Sequence, residues 1–390
     1  MGEETRGAGQ NRKKDKTKAR VEYSAGDIPV LGQVSFITTV YNEEDSIIEF
    51  LQSLRYQTVL PGEMIIVDGG STDRTFDLAR DFLKNWAASE DSKIKIDLEI
   101  NEDIENGPSS QPGNPAAGRE KRQDILRVRL LRESGAGIAR GRNTAISRAK
   151  GKYICVSDAG CRIDPDWLKE ITAITEKKGD RKSPVIGGMN YADCESFLQR
   201  CQALCMMPGL DETDVENFMP SSRNICFKKE DWKKVGGYPE DLDYGEDMKY
   251  NFNLKEAGCR LLFNPEAIVH WKMREDLDQI FRQFFRYAKG DALGRMYPVR
   301  HLIRFLTGLG FLAVMLAAVF FSPYILFSFI LLFAAYSFRP YRRMFAGWRG
   351  NERCRPSLAA RAGALFLIPF LLIYIDTAKV LGYIYGLIKR

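Results

Sequence analysis

The sequence predicts an α/β domain built on a mainly parallel sheet with helices on both faces, followed by C-terminal transmembrane helices. Three observations predict it. Short β-branched runs alternate with stretches of helical periodicity. Carboxylates stand directly after several of those runs, and beyond His301 the chain turns almost wholly apolar. With 390 residues, 45% hydrophobic and 28% charged, disordered, collagen-like and small disulfide-stapled classes are excluded, and two or three structural units have room.

Residues 1–32 are basic and polar without an apolar core, so they read as a flexible tail and not as a secretory signal. Arg6 departs from the Ser/Thr of an N-myristoylation site, which leaves attraction to anionic lipid headgroups as the functional reading of the tail. Residues 34–40 then form a β-branched run short enough for a buried strand, and residues 64–67 a second. Between them Ile47, Ile48, Leu51 and Leu54 recur at helical spacing, which completes a βαβ unit. A helix over 72–86 and a strand near 94–96 continue the alternation. Residues 101–127, centred on a Gly/Pro/Ser/Asn-rich stretch, read as a long mobile loop whose functional reading is an acceptor-side flap. A strand at 128–131, a helix over 138–150 and a strand at 153–156 follow, the last delivering Ser157-Asp158 to the carboxyl edge of the sheet, where open α/β sheets bind ligands.

The charge count, 57 Lys+Arg against 51 Asp+Glu, matters less than its distribution: from Leu302 onward the acids are Glu352 and Asp376. Residues 302–338 and 363–388 are membrane segments by length and composition. The first is either two short helices meeting at Ser322-Pro323 or one long kinked helix. The loop between the blocks carries Arg339, Arg342, Arg343, Arg349, Arg353, Arg355 and Arg361, which the positive-inside rule assigns to the cytosol, so a cytosolic domain at 33–300 favours the hairpin. The expected whole is a multi-pass cell-membrane protein with a cytoplasmic domain and two or three crossings over 302–390. Eight cysteines without a paired CxxC pattern fit a reduced compartment. The basic residues cluster beside membrane segments instead of interleaving with exposed aromatics, so nucleic acid is not an expected partner.

Three acidic constellations carry the chemistry. Asp68-Gly69-Gly70-Ser71-Thr72-Asp73 follows a strand and opens a helix, where glycines admit backbone N–H groups to an anion and Ser71 can cap the helix; a plain turn has the same appearance. Asp158, after the next strand of interest, could hold a hard divalent cation on phosphate oxygens. Glu246-Asp247 precedes a helical stretch, and either acid could serve as general base, or both could merely complement a helix dipole.

Their order resembles the inverting family 2 glycosyltransferases of the GT-A fold over about residues 33–290. The motifs are Thr38 through Glu44, Asp68 through Asp73, Gly137 through Ile146, Asp158-Ala159-Gly160 and Gly245-Glu246-Asp247. The resemblance implies that Thr39, Tyr41, Asn42, Glu43, Asp68 and Ser71 hold the nucleoside of a nucleotide-sugar donor, with Arg140, Arg142 and Asn143 in the same binding set. It implies that Asp158 binds Mn²⁺ or Mg²⁺ and that Asp247, beside Glu246, deprotonates the acceptor. Gln283 and Arg286, in Gln283-Phe284-Phe285-Arg286-Tyr287, stand where relatives carry Gln-x-x-Arg-Trp, which implies that they belong to the donor-binding set and help to seat the acceptor and the diphosphate. Two departures are visible: Gly160 replaces the second metal carboxylate, with His270 as a substitute ligand, and Gly69 replaces a frequent second Asp. The expected function is transfer of a sugar to a lipid-linked or cell-envelope glycan acceptor. A non-catalytic nucleotide-sugar-binding scaffold stands as the alternative. No nucleophile elbow, HExxH or Walker loop suggests other chemistry.

Overall fold

The computed structural model describes residues 28–89, 94–101, 125–173, 182–349 and 351–390. The tail reading for 1–27 and the loop reading for 102–124 therefore lie outside the described residues. At their edges the expected boundaries move, because Val30 already opens the first strand and residues 125–127 belong to a strand.

The first half alternates as expected: β1 (Val30–Val40), α1 (Ile47–Arg55), β2 (Leu60–Asp68), α2 (Thr75–Ala88), β3 (Lys95–Asn101), β4 (Ile125–Arg132), α3 (Ile138–Arg148) and β5 (Tyr153–Val156). These strands pair in parallel, in the spatial order β3-β4-β2-β1-β5. Their near-continuous apolar runs follow from burial on both faces. The pleat sorts the side chains: Phe36, Met64 and Ile66 pack with Ile47, Phe50, Leu51 and Leu54 of α1 and Phe76 and Leu83 of α2. Ile37, Ile65 and Val67 point the other way, into a second core with Ala139, Ala145 and Ile146 of α3.

The second half adds β6 (Cys161–Ile163), α4 (Trp167–Thr172), β7 (Pro184–Asp193), α5 (Phe197–Met206), β8 (Ile225–Lys228), α6 (Lys229–Lys234), α7 (Glu246–Glu256) and β9 (Arg260–Lys272). One sheet results, β3-β4-β2-β1-β5-β8-β7-β9-β6. β8 runs antiparallel to β5 and β7, and β6 antiparallel to β9. The strand order reverses at β1 and β5, so the carboxyl ends of β1, β2 and β5 frame a crevice.

The remainder is helical: α8 (Leu277–Leu293), α9 (Pro298–Phe320), α10 (Leu326–Tyr336), α11 (Phe338–Phe345) and α12 (Arg361–Lys389). The chain over 302–338 breaks at Phe321-Ser322 into two helices, and Phe311 of α9 meets Phe333 and Tyr336 of α10 at 5.4 and 5.7 Å between ring centroids. Among the described residues, α9 and α12 are long and apolar enough to cross a membrane. α10, with 11 residues, spans about 17 Å at 1.5 Å per residue, short of a hydrocarbon core of about 30 Å.

α12 is not wrapped in solvent or lipid on every side. Ala364, Ile368, Leu371, Ile375, Ala378, Gly382 and Gly386 form a buried stripe at three- and four-residue spacing. A Cβ at Gly382 would overlap the backbone of Phe285 in α8, so only glycine permits this approach. The Arg-rich loop is also held to the α/β domain. Arg342 and Arg343 both pair with Glu212, each at 2.6 Å, and Asn351 Oδ1 accepts from the Ala192 N–H at 2.7 Å. All eight cysteines carry free thiols.

Candidate active site

β1 and β2 end side by side, and the loops that leave them are bonded into one rim. Asn42 has a left-handed backbone, φ 53°, a conformation that asparagine tolerates better than most residues. Its N–H donates to Ser71 Oγ at 3.0 Å and its Oδ1 accepts from the Thr72 N–H at 2.8 Å. The Glu43 N–H donates to Thr75 Oγ1 at 2.7 Å. Asp68 is fully buried; its Oδ1 accepts from the N–H groups of Gly70 and Ser71 at 2.7 and 2.6 Å, while Oδ2 has no partner among the described residues. A buried carboxylate oxygen left unmatched is costly unless a donor arrives. Thr39 Oγ1, on a side chain that packs against Gly141 of α3, is also unmatched among the described residues, and Tyr41 is 58% exposed at the rim.

The centre of the site is Arg142. From α3 its guanidinium donates through Nη2 to Asp158 Oδ1 at 2.7 Å and through Nη1 to Glu246 Oε1 at 2.6 Å. The guanidinium also lies 5.4 Å from the Tyr238 ring centroid. Burial opposes its charge, but Asp158 and Glu246 together hold its pKa above the ordinary arginine value. For Glu246 the balance goes the other way: burial and the adjacent Asp247 push its carboxyl up to about 7 against the pull of Arg142. Asp247, next in sequence, keeps its Oδ2 toward Ser221 Oγ at 3.5 Å and its Oδ1 on the Met248 N–H at 2.8 Å. One buried cation thus joins the end of β5 to the start of α7.

α8 closes the far wall. Gly245 takes φ 77°, and a Cβ on Gly290 would overlap the Tyr244 carbonyl, so helix and turn meet backbone to backbone. Gln283 accepts from Arg274 Nε at 3.2 Å and donates to Tyr287 Oη at 3.0 Å. The Arg286 guanidinium lies 5.4 Å from the Tyr244 ring centroid.

Three expected site residues stand apart from this cluster. Asn143 has all its amide valences filled: Nδ2 donates to the Tyr238 carbonyl and Glu240, and Oδ1 accepts from Trp232 Nε1 and the Tyr238 N–H. It fixes the 238–240 segment and has nothing left for a donor. Arg140 pairs with Glu133 at 2.8 Å. His270 is not brought to Asp158. Strand pairing puts it opposite Arg162 and Tyr191, whereas its neighbour Trp271 pairs with Cys161 on the face toward the site. Alternation along a strand sends successive side chains to opposite faces. Burial and then Arg162 lower the His270 pKa, while Asp193 and Asp164 oppose them.

A divalent cation is still compatible with what remains. Gly160 leaves the space that a second Asp would fill, and the Glu43 carboxylate occupies its border: a Cβ at Gly160 would lie 3.7 and 3.8 Å from the two Glu43 oxygens. Burial raises the Glu43 pKa, Ser46 opposes this, and Asp158 adds to it. Two carboxylates are a hard oxygen set suited to an ion that arrives with phosphate oxygens and retains water. Among the described residues no group of three or more His, Cys, Asp or Glu forms a closed cage. Sequence reasoning missed Arg223, Trp271 and Arg274, although the polar run Ser221-Ser222-Arg223-Asn224 just before the apolar Ile225-Cys226-Phe227 was a usable signal.

The profile described as Glycosyl transferase family 2 matches residues 35–103 and 109–196, and that of Glycosyl transferase family group 2 matches residues 153–341. Glycosyltransferase AglE of Haloferax volcanii is 23% identical over 262 residues, 66% of this chain and 72% of that protein. The poly-beta-1,6-N-acetyl-D-glucosamine synthase of Staphylococcus epidermidis is 25% identical over 271 residues, 66% of this chain; the chain spans 54% of that synthase's length. Among solved structures, mannosyltransferase PcManGT from Pyrobaculum calidifontis, in complex with GDP-Man and Mn²⁺, aligns at a TM-score of 0.55 and 15% identity, over 89% of this chain and 87% of that one. The shared architecture is the GT-A fold. The family profiles and the glycosyltransferases among the relatives make the chain an enzyme, not the non-catalytic scaffold. With its motifs in order on that fold, and both profiles together running from the first strand into the helical region, the chain belongs to the family 2 glycosyltransferases.

Proposed function

We propose that the chain is a membrane-anchored inverting glycosyltransferase that moves a sugar from a nucleotide-sugar to a lipid-linked or cell-envelope glycan acceptor, with its site on the cytosolic face. The observation that carries this reading is the Arg142 bridge, which ties Asp158 to Glu246, the neighbour of Asp247, although the two lie far apart in sequence. The unmatched Asp68 Oδ2 and the rim of residues 39–43 and 71 suit a nucleoside, whose hydroxyl and N–H donors meet acceptors that otherwise lack them.

Asp247 takes the proton from an acceptor hydroxyl as that oxygen forms its bond to the anomeric carbon. The bond from the anomeric carbon to the diphosphate breaks in the same step, and the electron pair leaves with the nucleoside diphosphate. A single displacement inverts the anomeric centre. A divalent cation held by Asp158, with Glu43 beside it, supplies charge neutralisation to the diphosphate when bound. Glu246 and Arg142 hold the two carboxylates in place. Gln283 and Arg286, on α8, help to seat the acceptor and the diphosphate. The names of the relatives, among them a poly-beta-1,6-N-acetyl-D-glucosamine synthase and a succinoglycan biosynthesis protein of Rhizobium meliloti, support an envelope glycan as the product class. The apolar α9 and α12 give a lipid-bound acceptor a physical reason, since tethering to the bilayer raises its effective concentration.

The test is a titration of the purified chain with UDP-, GDP- and dTDP-sugars, with and without Mn²⁺ or Mg²⁺, following binding and nucleoside diphosphate release. Metal-assisted binding with release is expected for the native chain. Asp247→Asn is expected to bind donor within about threefold and lose about 10²- to 10⁴-fold in turnover. Full turnover by that variant rejects the assigned base.

A further inference from the structure

Arg142 has both terminal nitrogens on carboxylates, whereas among the described residues Arg223 has none of its side-chain nitrogens on one. Arg223 lies in the segment between Pro220 and β8, and its neighbours are immobilised on both sides. Asn224 Nδ2 donates to the carbonyls of Met189 and Ala267 at 3.0 and 2.9 Å, and its Oδ1 accepts from Trp167 Nε1 at 2.8 Å. Ser222 Oγ bonds Tyr238 Oη at 2.9 Å, and Asn251 Nδ2 donates to the Pro220 carbonyl at 2.5 Å. Arg223 itself is stacked on Trp271, guanidinium carbon 3.9 Å from the ring centroid. That contact engages the face of the cation and leaves its in-plane N–H donors open.

Those donors have no taker: among the described residues Arg223 Nε is shut off from solvent without a hydrogen bond, and the guanidinium has no carboxylate within ion-pair distance. Its place beside the site follows from its neighbours: Ser221, two residues back, faces Asp247 Oδ2 at 3.5 Å, and Trp271, on which it stacks, pairs with Cys161, three residues after Asp158. Burial opposes its charge, yet Tyr287, Cys161, Asp158 and Asp247 hold its pKa above the ordinary arginine value. A fixed, half-desolvated cation with a planar fork of unmatched donors fits an oxyanion carrying several acceptor oxygens.

We propose that Arg223 is the resident cation of the donor-diphosphate subsite, its fork hydrogen-bonded to phosphate oxygens and stabilising the charge that the departing nucleoside diphosphate acquires. The inference rests on the nucleotide-sugar reading above and adds the residue that recognises the leaving group. It also gives the Gly160 departure a physical counterpart. With one carboxylate fewer to recruit positive charge through a metal, the site carries that charge on the chain itself.

The experiment compares native protein, Arg223→Met and Arg223→Lys by calorimetric titration with UDP, GDP, the corresponding nucleosides and inorganic pyrophosphate, each with and without Mn²⁺. Nucleoside affinity is expected to stay within about twofold, while nucleoside diphosphate and pyrophosphate affinity falls about 10- to 100-fold in Arg223→Met. Arg223→Lys, which keeps the charge and loses the fork, is expected between the two. A second readout separates this role from a structural one: with no ion pair to break, the ligand-free Arg223→Met protein loses only the Trp271 stack and should melt no more than about 4 °C below the native chain, whereas an arginine that holds the fold together would lower the midpoint further. Equal nucleoside diphosphate affinity in native and Arg223→Met protein overturns the assignment and leaves the transferase reading intact. Pyrophosphate binding that needs Arg223, with no nucleotide bound by the native chain, keeps the oxyanion site and rejects the nucleotide-sugar reading.

Discussion

Arg142→Met tests the joint on which the site is built. The substitution keeps an unbranched apolar stem and removes the cation shared by Asp158 and Glu246, whose side chains are 26% and 7% exposed. Removing one partner of a buried ion pair costs about 3–5 kcal/mol, because the other charge is left uncompensated. Asp158 is a quarter exposed and is partly rescued by water, so the lower end, about 3 kcal/mol, is expected. At about 2 °C per kcal/mol for a domain of this size, the thermal midpoint should fall by roughly 6 °C. Glu246, already pushed up to about 7, should then be protonated at neutral pH. Arg142→Met combined with Glu246→Gln should therefore be less destabilised than the sum of the single changes, by about 1–2 kcal/mol. The assay is tryptophan-fluorescence melting of the native chain, both single variants and the double variant in one detergent at one pH. A midpoint for Arg142→Met within about 1 °C of native, or strict additivity in the double variant, would refute the bridge as the element that holds β5 to α7.

Glu246 also sets a pH dependence. Its folded pKa of about 7 lies above the usual 4.5, so the folded chain binds the proton more tightly than the unfolded one and stability falls as pH rises from about 4.5 to 7. The drop should approach about 3 kcal/mol at 1.36 kcal/mol per unit, and Glu246→Gln should flatten the melting midpoint across that window; an unchanged slope would count against it. Gly290→Ala places a Cβ against the Tyr244 carbonyl, so α8 must shift away from the 244–247 turn. Turnover should drop about 100-fold, as a displacement of about 1 Å can cost, with nucleoside affinity retained, and an unaffected kcat would show that the contact is not tight. His270→Ala should leave the Mn²⁺ concentration for half-maximal donor binding within about twofold of native; a large increase would restore His270 as a ligand.

The rhythm of strand and helix was legible because it rests on local, short-range patterning. Within the apolar runs, Phe36 and Ile37, like Ile66 and Ile65, divide between two cores by pleat alone, and the alternating segments place Asp68 and Asp158 at strand ends without further information. The apolar blocks were equally plain. The family resemblance offers His270 as a metal ligand, and only the pairing of Trp271 with Cys161 turns its side chain to the far face. Asn143 sits inside a recognisable motif, but its hydrogen bonds to residues 232, 238 and 240 have no local signature.

By itself, then, the sequence determined the α/β class, the order of the acidic motifs and the apolar character of the C-terminal region, since these depend on period, composition and turn chemistry within a few residues. Only the tertiary structure decided that Arg142 joins Asp158 to Glu246, that Glu43 borders the gap at Gly160, that Arg223 has no ion pair among the described residues, and that α12 docks on α8 through Gly382. Those facts depend on which side chains meet from distant parts of the chain, and on which charges find partners once water is excluded. Neither is written in any local stretch of the sequence.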